Sequence, residues 1–287
     1  MPLPFSNFTI GLALAFASSL ALATSTGAGA VTAVSYTLID LDPNDGVAPS
    51  ISFAASTSAY AGPYVYGYVR AATAEEDTYR EFTHVGATPS GNVSGSVTTD
   101  VSSASSSATG ATGIGFSALA VSGSAMSGID FSGVYYATTN APTALFTLSA
   151  NTEVIFTVTG WLTGKTTQGG DPDIGNVENG GAVLQLETSG PTSTGSTAFD
   201  RESAAAVAWY SIGADGSASG ESQSWQGQLV SSYSNSSTLE ADGRFTAVLS
   251  VGGTSIPVAA VPEPASGALI LTGLAAVGGA VRRRRLL

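Results

Sequence analysis

The chain of 287 residues contains no cysteine, one histidine, and nine Lys and Arg residues against 21 Asp and Glu. Each shortage removes a class of chemistry. Without cysteine there is no disulfide framework, no thiolate nucleophile and no cysteine-built zinc site. With His84 as the sole imidazole, a multi-histidine metal site is excluded, and a Ser-His-Asp triad would have to use that residue as its base. A formal charge of −12 with so few basic residues argues against a nucleic-acid partner, whose phosphates require clustered Lys and Arg. Charged residues make up only 10% of the chain, less than half the ~25% of an ordinary soluble domain. Glycine (35 residues), Ser and Thr fill the place of the missing charge. Mean hydropathy is nevertheless positive, which sets the chain apart from disordered acidic polymers.

The charge that is present is unevenly placed. Four of the nine basic residues are consecutive, Arg282, Arg283, Arg284 and Arg285. Residues 31–260 hold the other five together with 20 acidic residues, a net −15. A block this one-sided marks a functional boundary. The N-terminal end carries an apolar run from Ile10 to Ala23, followed by TSTGAGA. A short apolar core followed by small residues has the order of a secretory signal peptide. The triplet Ala28-Gly29-Ala30 predicts cleavage after Ala30, with cleavage after Ala23 as the alternative. This divides the chain into a signal peptide (1–30), a body (31–260) and a C-terminal segment (261–287). The export translocon and a signal peptidase are the partners so implied.

The C-terminal segment reads Val261-Pro262-Glu263-Pro264, then 17 uncharged residues from Ala265 to Val281, then the Arg block and two leucines. The two prolines enforce an extended junction. Residues 265–281 predict a transmembrane helix of about 25 Å, at 1.5 Å per residue. The four arginines would stay on the cytoplasmic side. This tripartite order resembles the PEP-CTERM sorting signal of bacterial exopolysaccharide-associated proteins. The resemblance covers only the last 27 residues or so. It implies recognition and processing near Pro262-Glu263-Pro264 by an exosortase-type membrane protease. It further implies a bacterium with an outer membrane, a transient anchor in the inner membrane, and delivery to the cell surface or an extracellular matrix or biofilm.

Between the ends, period-two alternation prevails over helical periodicity. Val34, Tyr36 and Leu38 share one face, and Tyr64, Tyr66 and Tyr68 another. About a dozen such runs, separated by Gly, Pro, Asn and Asp clusters, predict an all-β antiparallel sandwich of jelly-roll type. Its expected core aromatics are Phe53, Phe116, Phe146, Phe156, Trp161 and Phe245. Residues 75–81 (EEDTYRE) predict a short helix or an exposed acidic loop. The low-complexity stretch 94–115 predicts flexible loops or edge strands of weak register.

Candidate chemistry in the body is sparse. Asp40, Asp42, Asn44 and Asp45 alternate oxygen ligands before Gly46, as in a Ca²⁺ loop, but the spacing of Gly and Glu departs from the EF-hand. The same residues suit an Asx-type turn that caps its own backbone. Asp171, Asp173, Asn176 and Glu178 form a second acidic loop with the same two readings. No other cofactor is indicated. Gly113-Ile-Gly115-Phe-Ser-Ala118 matches a dinucleotide fingerprint only formally, because no βαβ unit surrounds it. No G-x-S-x-G nucleophile elbow occurs. Tyr64, Tyr66 and Tyr68, with Trp161, Trp209-Tyr210 and Trp225, could present a sugar-stacking face or could simply line a sheet and its core. The expected function is that of a non-enzymatic exported surface or matrix protein associated with extracellular polysaccharide. A carbohydrate-binding module or glycoside hydrolase with the same address is the alternative.

Overall fold

The computed structural model describes residues 22–256 apart from 55–61, 74, 89, 129, 168–177 and 213–217, and every regular element among them is a β-strand. In chain order these are β1 (Ala23–Asp40), β2 (Ile51–Ala54), β3 (Tyr64–Thr73), β4 (Asp77–Val85), β5 (Asn92–Thr98), β6 (Ser102–Ala111), β7 (Gly115–Ser127) and β8 (Phe131–Asn140). Then come β9 (Ala144–Leu148), β10 (Thr152–Thr166), β11 (Asn179–Pro191), β12 (Thr197–Trp209), β13 (Ser211–Ile212), β14 (Ala218–Ser219), β15 (Ser222–Asn235) and β16 (Ala241–Ser255). A six-stranded sheet has the order β15-β10-β1-β7-β6-β5. A second sheet runs β12-β11-β16-β8-β3-β4, with β9 on the far part of β16 and β2 beside β9. The pairings are antiparallel throughout. The expected all-β antiparallel body is therefore present. The expected C-terminal transmembrane helix and residues 1–21 of the expected signal peptide, read as a helix, lie outside the described residues, and no described helix is long and apolar enough to cross a membrane.

Alternation puts one row of each strand into a shared core. Strand β10 turns Val154, Phe156, Val158 and Leu162 inward, and β16 turns Phe245, Ala247, Leu249 and Val251 to meet them. Phe156 of one sheet stacks on Phe245 of the other with ring centroids 4.3 Å apart and planes 7° from parallel. Phe146 and Phe116 extend this stack at 5.5 and 6.2 Å. These four phenylalanines are the buried aromatics expected. Phe53 is half-buried at the core margin, edge-on to Tyr36 and Phe146. Trp161 is not a core residue: it occupies an outward position of β10 and is 38% exposed.

Away from the phenylalanines the sheets close until backbone meets backbone. A Cβ on Gly27 of β1 would lie 2.7 Å from the Gly181 carbonyl oxygen of β11. A Cβ on Gly164 of β10 would lie 2.6 Å from the Ala206 carbonyl oxygen of β12 and 2.9 Å from Gly181 Cα. Only glycine permits this pinch, since ordinary facing sheets stand ~10 Å apart to leave room for side chains.

Three segments correct the expectations from sequence. Of the expected short helix or acidic loop at 75–81, only Glu75 and Glu76 are an exposed turn; residues 77–85 form strand β4, with Phe82 buried while its charged neighbours face water. Strand β6 is an interior strand between β5 and β7, not a loop or an edge; its buried Ala104 and Ala108 alternate with serines that reach across to β7. Strand β1 begins at Ala23, well before the expected body boundary at residue 31.

Candidate functional site

Two outer faces concentrate the aromatic and hydroxyl groups that could meet a ligand. On the second sheet, Tyr66 and Tyr68 join Tyr79 of β4 and Tyr136 of β8. Tyr68 is stacked between Tyr79 and Tyr136, each at 5.6 Å and 27°. Tyr66 lies 6.2 Å from both Tyr68 and Tyr136. The Tyr79 hydroxyl donates to Glu81 Oε2 at 2.9 Å and lies 3.3 Å from the Tyr66 hydroxyl. The Tyr66 contact first, and the Glu81 bond second, hold the Tyr79 phenol far above its ordinary pKa. Arg70 pairs with Asp77 at 2.6 Å at the margin. Tyr64 lies on the same face of β3, two positions before Tyr66. The rings mainly stack on one another, so this is a cross-strand ladder of the kind that stabilises a sheet. Tyr79 and Tyr136 escaped the sequence reading, although strand parity alone places Tyr136 outward beside its inward neighbour Tyr135.

Trp225 does not belong to that face. It lies on the inner side of β15 in the other sheet, packed against the core. Trp209 is 51% exposed at the end of β12. The sugar-stacking set Tyr64, Tyr66, Tyr68 and Trp225 is therefore divided between two sheets.

The outer face of the six-stranded sheet has a different character. The strand register sets Trp161, Ala30, Ala120, Ser107 and Ser94 in one row across β10, β1, β7, β6 and β5. The adjacent row is Thr163, Ala28, Ser122, Ser105 and Ser96. On the side of β1, β7, β6 and β5, Trp161 faces only alanines and serines in these rows, and the difference in height leaves a depression of about 710 Å³. Ser105 and Ser122 hydroxyls are 2.8 Å apart on its floor. His84 reaches the opposite rim, stacked on Phe82 at 6.1 Å. Among the described residues no Asp, Glu, Lys or Arg lines the depression. Its chemistry is that of neutral hydroxyls and one indole, suited to an uncharged polyhydroxylated partner.

The acidic turn after β1 engages its carboxylates internally. Asp40 Oδ1 accepts from the Asp42 amide at 3.0 Å, Asp42 Oδ1 from the Asn44 amide at 3.2 Å, and Asp45 Oδ1 from the Val47 amide at 2.7 Å. Asn151 Nδ2 donates to Asp45 Oδ2 at 2.7 Å. The Asn151 bond first, and the Val47 amide second, lower the Asp45 pKa. This is the geometry of successive Asx turns. Among the described residues no group of three or more His, Asp or Glu side chains could hold a metal ion. Of the second acidic loop, Asp171, Asp173 and Asn176 lie outside the described residues. Glu178 is buried and accepts a hydrogen bond from Ser255 at 2.9 Å.

The processing motifs divide similarly. Val261, Pro262, Glu263, Pro264 and Arg282 to Arg285 lie outside the described residues. Ala28 and Ala30 sit inside β1, paired to Ser122 and Ala120 on one side and to Thr163 and Trp161 on the other. Searches of family models, curated proteins and solved structures find nothing that matches this chain.

Proposed function

We propose that this chain is a non-enzymatic exported surface or extracellular-matrix protein of a bacterium with an outer membrane. In this reading the apolar N-terminus engages the translocon, and a signal peptidase removes it. The C-terminal helix anchors the chain in the inner membrane for a time, and an exosortase-type protease releases it near Pro262-Glu263-Pro264. The body, read as an acidic β-sandwich, then joins an exopolysaccharide layer. The observation that carries this is the complete order of Val261-Pro262-Glu263-Pro264, an uncharged 17-residue run and Arg282–Arg285 at one end of a body of net charge −15. Deletion of residues 261–287 tests it by fractionation of the host bacterium. Loss of both retention and processing is expected; unchanged fractionation refutes the sorting route.

The depression beside Trp161 favours a second reading, contact with a neutral polysaccharide. An exposed indole above a floor of serine hydroxyls offers an apolar plane and hydrogen bonds without charge. A glycan array on the exported protein should give a saturable hit. Trp161→Ala should abolish that hit without lowering the melting temperature, whereas Tyr68→Ala should leave it intact. Loss with Tyr68→Ala but not with Trp161→Ala would move the contact to the tyrosine ladder.

A further inference from the structure

We infer that the mature chain begins at Thr24, through hydrolysis of the Ala23–Thr24 bond by a signal peptidase acting after the small-x-small triplet Ala21-Leu22-Ala23. This rests on the export reading above and fixes its processing site. The step adds water across one amide: a hydroxyl goes to the Ala23 carbonyl carbon and a proton to the Thr24 nitrogen.

Residues 24–31 belong to the folded sheet. Strand β7 pairs with β1 only through Ala23–Val31, from Ala23 opposite Ser127 to Val31 opposite Leu119. On the other side, Ser25–Val31 pair with Thr166–Gly160 of β10. Cleavage after Ala30 would remove residues 23–30 of this strand from the centre of the six-stranded sheet. It would leave β10 and β7 about two strand spacings, ~10 Å, apart, with unpaired backbone groups on both facing edges. The unit β7-β6-β5 would keep only the Val31–Leu119 pair as its main-chain link to the rest of its sheet.

Inward side chains of the same segment are equally committed. Ser25 is fully buried, donates to the Asn179 carbonyl oxygen and lies 3.5 Å from the Tyr135 hydroxyl. Gly27 is required by the pinch against β11. Outward, Ala28 and Ala30 form part of the floor beside Trp161. The small residues of TSTGAGA, which look like a peptidase exit in the sequence, are thus explained by packing on both faces. The triplet Ala21-Leu22-Ala23 closes the apolar run directly, and a cut after it takes from β1 only its first residue, Ala23 opposite Ser127. The new terminal nitrogen at Thr24 keeps its 2.7 Å contact with the Thr167 hydroxyl. Access is also available at the right moment. The partners of β1 lie at residues 119–127 and 152–166, so the bond remains unpaired while those residues are still crossing the membrane.

The test is expression of the full chain in a bacterium with an outer membrane, followed by N-terminal sequencing and intact mass of the exported form. Thr24 is the expected first residue. A start at Val31, or anywhere else within 25–31, overturns the inference, as does an exported chain with its leader uncut. A chain retained in the cytoplasm would instead overturn the export reading on which the inference rests. Ala23→Gln should cause the uncut precursor to accumulate, and Ala30→Gln should leave Thr24 as the first residue. The reverse pattern places the cut after Ala30.

Discussion

Gly164→Ala should destabilise the domain, and Gly227→Ala should not, although both add one methyl to an inward position of a strand. At Gly164 the new Cβ would meet the Gly180 and Ala206 carbonyl oxygens and Gly181 Cα, all backbone atoms of the opposing sheet. No rotamer change can relieve such contacts, so the sheets must separate or slide. Overpacking of this kind costs about 1–3 kcal/mol, and three backbone neighbours place Gly164 near the upper end. Replacing glycine by alanine in a strand returns about 0.5–1 kcal/mol through the unfolded chain, which leaves a net loss of about 2 kcal/mol. For a domain of this size each kcal/mol moves the melting temperature by about 2–4 °C, so a drop of about 4–8 °C is expected. At Gly227 the new Cβ would stand 3.4 Å from the Trp225 ring, a side chain at ordinary contact distance. There only the favourable part remains, and the melting temperature should hold or rise by about 1–2 °C. Thermal melts followed by far-ultraviolet circular dichroism measure both variants. Equal shifts, or a Gly164→Ala melt within about 1 °C of the parent, would refute the idea that backbone contact sets the sheet spacing.

Three further outcomes follow from particular residues. Deleting residues 24–30 removes about a dozen main-chain hydrogen bonds of ~1 kcal/mol each, comparable with the whole ~5–15 kcal/mol stability of a domain, and should abolish the cooperative melt. Burial pushes the Tyr135 phenol up to about 12. The unfolded chain therefore loses this proton near pH 10 while the folded chain keeps it, so the contribution is complete below pH 10 and is lost as pH rises toward 12. The loss amounts to about 2–3 kcal/mol, and Tyr135→Phe should flatten the fall in melting temperature over that range. Asn151 holds a left-handed backbone at φ 47°; Asn151→Ala should cost about 1–2 kcal/mol in chemical denaturation while Asn151→Gly costs much less.

The sequence made the strands legible wherever large apolar residues alternate, as in Val154, Phe156 and Val158. It concealed some of those whose inward row is glycine, alanine or serine. The first part of β1 and the whole of β6 are such cases, since packing against a neighbouring backbone needs small residues that carry no hydrophobic signature. Strand β4 was hidden for a different reason: as an edge strand it buries little beyond Phe82, and its charged residues resemble a solvated helix. Trp161 shows the limit of composition. A tryptophan suggests a core, but parity with buried Leu162 turns it to the outside. The rows flanking it depend on the register among five strands, which no local window contains.

The hydroxyl of Ser127 gives the domain a polarity. It lies 3.0 Å from the Ser255 hydroxyl and donates to the Ile256 carbonyl oxygen at 2.6 Å, while Ser127 also pairs with Ala23. Both ends of the folded body thus leave from one pole, side by side, even though they lie more than 200 residues apart in the chain. The 18 residues of β1 then run to the acidic turn at the opposite pole, roughly 55–60 Å away at ~3.3 Å per residue. A body fastened at the Ser127 pole would stand upright, presenting Asp40, Asp42 and Asp45 farthest from its attachment.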